Sequence, residues 1–134
     1  MQTKNKLELL LVDDDEVLLM ILHRMFLKAD PSLDIKRFES GDRALQYLSE
    51  NPNGDNRFML VDINLKDMTG WDFLSVIEET NDPSKIILIT SSVDSTNHGL
   101  ASRHPNVIHF FEKSITFSII KEILETIEEK IEKE

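Results

Sequence analysis

Apolar residues along this chain fall into short continuous runs that alternate with stripes at helical spacing. Leu7-Glu8-Leu9-Leu10-Leu11-Val12 is almost wholly apolar and stops at three acids, Asp13-Asp14-Asp15. Phe58 to Val61 before Asp62, Ile86-Ile87-Leu88-Ile89 before Thr90, and Val107 to Phe111 shortly before Lys113 repeat that shape. Such runs are the habit of strands buried on both faces, as in parallel sheets. Leu33 to Phe38 alternates instead, with Leu33, Ile35 and Arg37 against Asp34, Lys36 and Phe38, which predicts a weaker strand at an edge.

Between these runs the period becomes helical. Glu16 to Lys28 predicts a helix with Asp15 as its N-cap and Glu16 in a first turn where the dipole favours acids. Further helices follow Ser40-Gly41 (Ala44, Leu45, Leu48), span Trp71 to about Thr80 (Phe73, Leu74, Ile77), and run from about Thr116 to near the end (Ile120, Ile123, Leu124, Ile127, Ile131). The polar stretch Ser95 to His104 is read as another helix. Asp30-Pro31-Ser32, Asn51-Pro52-Asn53-Gly54 and Asn81-Asp82-Pro83 mark breaks.

Five strands alternating with five helices imply an α/β fold, a parallel sheet covered on both faces. Right-handed crossovers leave few arrangements, and the flavodoxin-like, doubly wound order 2-1-3-4-5 is the natural one. It sets the first and third strands side by side, so Asp13, Asp14, Asp62, Thr90 and Lys113 emerge together at the C-terminal edge, where open α/β sheets bind ligands. Such a cluster suits a divalent cation and a phosphoryl group. Two carboxylates ~4 Å apart repel by about 4 kcal/mol at an effective dielectric of ~20. One lysine does not offset three acids, so without a cation raised pKa values are expected.

Composition narrows the classes. The 134 residues fit one domain, and 40% hydrophobic residues suffice for a core. A net charge of −10 argues against binding a nucleic-acid backbone. The absence of cysteine excludes disulfides and thiol catalysis and agrees with a cytoplasmic protein. Neither a signal segment nor an apolar stretch of the ~20 residues needed to span a bilayer is present. His23, His98, His104 and His109 are scattered without metal-ligand spacing and are read as structural or surface residues.

In order along the chain, Val12-Asp13-Asp14-Asp15, Leu60-Val61-Asp62-Ile63-Asn64 with Met68-Thr69-Gly70-Trp71, Thr90-Ser91-Ser92 and Lys113 together resemble the response-regulator receiver domain of two-component signalling. The resemblance covers essentially residues 1–134 as a single receiver domain without a separate output domain, comparable to the single-domain chemotaxis regulator. It implies a phosphorylation switch rather than an enzyme acting on a foreign substrate. Asp62 would be the phosphoacceptor, while Asp13 and Asp14, with Asp62 and the backbone carbonyl of Asn64, would hold Mg²⁺. Thr90 would be the switch hydroxyl, Phe110 the switch aromatic, and Lys113 the family's lysine. Expected partners are a sensor histidine kinase or phosphotransfer protein and a downstream protein target, with no nucleic acid or membrane; the chain itself would be a monomer or weak homodimer.

The chemistry is compatible with that implication. An ionised carboxylate needs no general base to attack phosphorus, and phosphoryl transfer rests largely on positioning and charge neutralisation. Mg²⁺ takes carboxylates, carbonyls, waters and phosphate oxygens. Taken singly, each residue also has a structural reading: Asp13 to Asp15 as a turn and helix start, Asp62 as a loop acid, Thr90 as a strand end and Lys113 as a solvated cation. A degenerate receiver, serving as a constitutive interaction module, is the alternative function. A phosphohydrolase of the haloacid dehalogenase type would need a second aspartate where Asn64 stands.

Three positions depart from the family pattern. Ser114 replaces the proline commonly found after the lysine with a cis bond before it, Lys66 replaces a loop proline, and Thr69 replaces the acid before Gly70. Helix one is apolar nearly all round, from Val17 to Leu22, so part of it, including Leu19 and Met20, is a candidate docking surface for the phosphodonor. Ile127 and Ile131 near the end are candidates for self-association.

Overall fold

The computed structural model describes residues 7–52, 56–91, 99 and 103–132. Along them run β1 (Glu8–Val12), α1 (Glu16–Ala29), β2 (Asp34–Phe38), α2 (Gly41–Glu50), β3 (Arg57–Asp62), α3 (Gly70–Glu79), β4 (Lys85–Thr90), β5 (Val107–Glu112) and α4 (Phe117–Glu132). All strands pair in parallel in the order β2-β1-β3-β4-β5. Register ties Val12 to Val61, Asp62 to Ile89 and Thr90 to Glu112, so the strand ends share one edge.

The period of two along each strand sorts side chains between two cores. Leu9, Leu11, Phe58, Leu60, Ile87, Ile89 and Phe111 pack against Leu19, Leu22 and Phe26 of α1 and Ile120, Ile123 and Ile127 of α4. Leu10, Val12, Met59, Val61, Ile86 and Leu88 pack on the other face against Ala44 and Leu48 of α2 and Phe73, Leu74 and Ile77 of α3. Each such side chain, fully buried, contributes ~1.5–3 kcal/mol. Every residue of β3 is buried, whereas β2 is only partly covered, the pattern of a central and an edge strand.

Four helices have their bounds among the described residues where five were expected, and Gly99, inside the stretch read as the further helix, is itself helical. Most of the stretch Ser95–His104 lies outside the described residues. Arg103 and His104 themselves are not helical, and Val107 N donates to His104 O at 3.0 Å in the turn before β5. Pro105 accounts for this, since a residue before proline disfavours the helical region. Two surface expectations also change: Leu19 is 2% exposed and Ile127 0%, so both belong to the core. Among the described residues, the exposed large apolar side chains are Val17, Met20 and Ile21 on α1 and Ile131 on α4. Among the described residues, no helix is long and apolar enough to cross a membrane.

The N-terminal edge of the sheet carries a polar network. Arg57, 3% exposed, holds Glu8 Oε1 through Nε at 2.8 Å and Asn51 O through Nη2 at 2.7 Å. The Tyr47 hydroxyl donates to Glu8 Oε2, which also lies 3.2 Å from Lys36 Nζ. Burial pushes the Glu8 carboxyl up, but Tyr47, Arg57 and Lys36 more than reverse this and hold it below its ordinary value. The network joins β1, β2, α2 and β3 at the end opposite the candidate site.

Candidate functional site

At the C-terminal edge the three consecutive acids divide their work. Asp13 N continues the ladder to Phe38 O at 3.1 Å, which turns the 1%-exposed Asp13 side chain in above the sheet. Its Oδ1 accepts from Asp15 N at 2.9 Å. Asp15 faces outward and caps α1, accepting from Leu18 N at 3.1 Å, as its position before a helical run predicts. Asp14 lies between them, half-buried.

Asp62 closes β3 with 3% exposure, and its Oδ1 accepts from Asn64 N at 3.1 Å. Ile63 N donates to Ile89 O at 3.0 Å, extending β3–β4 pairing just beyond the acid. Lys113 follows β5, where its backbone N–H donates to Thr90 O at 2.6 Å. Its Nζ donates to Asp62 Oδ2 at 3.1 Å and lies 3.0 Å from Asp13 Oδ2. Thr90, fully buried, ends β4 beside them.

Asp13, Asp14 and Asp62 each offer an oxygen, and these atoms lie within 4.8 Å of one another. Burial pushes the Asp13 carboxyl up and the Asp62 charge adds to this, against the Asp15 amide and Lys113, leaving it above its ordinary value. Burial pulls Lys113 down, but Asp13 and Asp62 outweigh it and keep the ammonium charged above its usual range. Asp13 Oδ2 is buried without a directed hydrogen-bond donor. Lys113 Nζ, at 3.0 Å, pairs with it in charge. An all-oxygen cluster, short of positive charge and with one buried oxygen unsatisfied, fits a hard divalent cation.

The loop between Asp62 and α3 is folded back on itself. Asn64 and Thr69 form an antiparallel bridge, and Gly70 N donates to Ile63 O at 2.6 Å. A Cβ on Gly70 would stand 2.9 Å from Ile63 Cα, so only glycine allows this approach. Thr69 occupies the place of the usual acid and serves as N-cap of α3 in a capping box with Asp72. Asp67 was not singled out by sequence reasoning; its carboxylate accepts from Gly41 N at 3.1 Å and Asp42 N at 2.9 Å. Partners 26 and 25 residues away leave no local signal. The Lys113–Ser114 peptide bond is not cis, and Ser114 adopts φ 83°.

Phe110 is half-buried, pairs in register with Leu88 and packs on the core beneath α2 and α3. It lies two positions before Glu112, the register partner of Thr90. The described histidines serve other contacts. His104 pairs with Glu78 and stacks with Trp71 at 6.0 Å, while His109 stacks on Phe111 at 4.2 Å. His23 is partly buried on α1, and His98 lies outside the described residues.

The fold of five parallel strands is shared with known proteins. Residues 9–125 match the model of the response regulator receiver domain, and the chain belongs to that family. It is similar to the CheY-like receiver domain protein of Methanospirillum hungatei JF-1, with 18% identity, TM-score 0.81 and coverage of 97% of this chain and 100% of that one. The signal receiver domain of a protein described as a Luxo repressor from Vibrio parahaemolyticus matches at 24% identity and TM-score 0.80, over 96% of each chain. A two-component response regulator from Legionella pneumophila matches at 23% identity and TM-score 0.76, over 92% of this chain and 99% of that one. At these identities the structures speak for the fold. No curated protein sequence matches this one.

Proposed function

We propose that this receiver domain is a Mg²⁺-dependent phosphorylation switch with Asp62 as the phosphoacceptor. The observation that carries the reading is the contact of Lys113 Nζ with Asp62 Oδ2 at 3.1 Å, in a cluster that also gathers Asp13 and Asp14. Asp13, Asp14, Asp62 and the Asn64 carbonyl would hold the Mg²⁺. When bound, the ion supplies positive charge and a template for the oxygens of the transferred group.

An Asp62 carboxylate oxygen attacks the phosphorus of the donor. The new O–P bond forms as the bond from phosphorus to the donor's leaving group breaks, and the leaving group takes that electron pair. With a phosphohistidine donor the leaving group is an imidazole nitrogen. Lys113 meets one phosphoryl oxygen as a fixed point charge. The Thr90 hydroxyl donates a hydrogen bond to another, which draws the end of β4 toward Asp62 and gives Phe110 on β5 a changed neighbour. A local charge event thus biases the packing of a surface.

Two-component receivers work between a phosphodonor and a target, and α1 suits the donor. It starts beside Asp13 and Asp14 and exposes Val17 (62%), Met20 (41%) and Ile21 (44%) at helical spacing. Incubation with acetyl phosphate and Mg²⁺, followed by intact mass, tests the reading. One added phosphoryl group is expected in the wild type and none in Asp62→Asn or with a chelator. No gain in the wild type would reject it.

A further inference from the structure

We propose that Asp67 is a positioning residue, which fixes the loop carrying Asn64 to the N-terminus of α2 and so holds the metal and phosphoryl site in register. This inference rests on the phosphorylation reading for its functional consequence, though not for its geometry.

The first amides of a helix lack intrahelical partners. In α2, Ser40 Oγ serves as the ordinary cap and accepts from Arg43 N at 3.1 Å. The amides of Gly41 and Asp42 are met instead by the two carboxylate oxygens of Asp67, one oxygen each. Asp42 is solvent-exposed, so water could satisfy its amide, whereas Gly41 is buried, and α2 already has its cap. What the carboxylate adds is a two-point attachment to a different element. Two bonds to two consecutive amides fix the orientation of Asp67 as well as its distance, and the positive end of the helix dipole favours its charge.

The neighbouring residue reinforces the attachment. Met68 lies across Gly41 so closely that a Cβ there would stand 2.6 Å from Met68 Sδ. On the other side, Leu65 is 8% exposed in the core, and Asn64 N donates to Asp62 Oδ1. Only Lys66 separates the buried Leu65 from Asp67, so the loop is held at successive points with little slack. Asp67 touches neither Asp62 nor the acid pair in any described contact. It acts through the backbone between residues 64 and 67, where small displacements change both the Asn64 carbonyl and the amide that steadies Asp62.

The test uses the full chain as wild type, Asp67→Asn and Asp67→Ala. Amide hydrogen exchange by NMR is read at Gly41, Asp42 and Asn64, and Mg²⁺ is titrated against Trp71 fluorescence. Asp67→Ala is expected to lose protection at Gly41 and Asp42 and also at Asn64. Its Mg²⁺ affinity is expected to fall about tenfold, as for a lost outer-shell partner. Asp67→Asn, which keeps one oxygen acceptor, is expected to fall between. Faster exchange at Gly41 and Asp42 with Asn64 unchanged would overturn the proposal, leaving Asp67 a helix cap alone. Failure of the wild type to bind Mg²⁺ would instead reject the phosphorylation reading, while the Asn64 amide would still decide the role of Asp67.

Discussion

Lys113 Nζ lies 3.1 Å from Asp62 Oδ2, so the cation suited to the incoming phosphoryl group already rests on the proposed acceptor. It bridges to Asp13 at 3.0 Å and is the only cation in described contact with either acid. Lys113→Met should therefore leave two buried carboxylates facing each other. Breaking a fully buried pair costs ~3–5 kcal/mol, and with the lysine side chain 23% exposed a loss of about 1–3 kcal/mol is expected without divalent cation. Urea unfolding checks this, and saturating Mg²⁺ should recover much of the loss. Equal stability of variant and wild type in chelator would contradict the electrostatic reading of the site.

At the opposite edge, Glu8 gives a pH dependence of known sign. Its folded pKa is depressed below 4.5, so its stabilisation is complete above that value and disappears as pH falls through the folded pKa. Glu8→Gln should cost about 2–3 kcal/mol at neutral pH, because Arg57 stays buried with Asp82 Oδ2 only 3.8 Å away as a remaining acid. The difference from wild type should shrink below pH 4.5, measured by denaturant unfolding across pH. A gap that persists unchanged at low pH would contradict the ionic contribution.

Two glycines next to the same loop should differ. A side chain on Gly70 meets the backbone of Ile63, whereas one on Gly41 meets the flexible end of Met68. Gly70→Ala is expected to cost ~1–3 kcal/mol through forced backbone shifts and to weaken Mg²⁺ binding. Gly41→Ala should cost less. Thermal unfolding of the pair gives the order.

Ser114, at φ 83°, occupies backbone space that disfavours side chains. Ser114→Gly should stabilise the protein by up to about 1 kcal/mol. Ser114→Pro, which restores the commoner residue of the family, should destabilise it, because proline fixes φ near −65°. Thermal melts of both variants measure the two signs.

Much of this fold is legible in the chain because its central strands are buried on both faces. Runs such as Leu9 to Val12 and Ile86 to Ile89 therefore announce themselves, and their polar ends mark one edge. Asp15 as a cap and the weak edge strand at Asp34–Phe38 follow from local pattern in the same way. Local pattern fails where a partner is distant. The attachment of Asp67 to α2 and the Glu8–Tyr47–Arg57 network join residues 25 or more positions apart. Helices apolar on several sides, such as α1, also hide which residues face the sheet, so Leu19 proves buried while Val17 and Met20 are exposed.

The most direct measurement locates the modified carboxylate. The protein is incubated with acetyl phosphate and Mg²⁺, reduced with borohydride to convert an acyl phosphate to its alcohol, and mapped by peptide mass spectrometry. Conversion of Asp62 to homoserine, dependent on Mg²⁺ and with Asp13 and Asp14 intact, is the expected result. Conversion at Asp13 or Asp14 instead, or none at any carboxylate, would contradict the assignment of Asp62 as the phosphoacceptor.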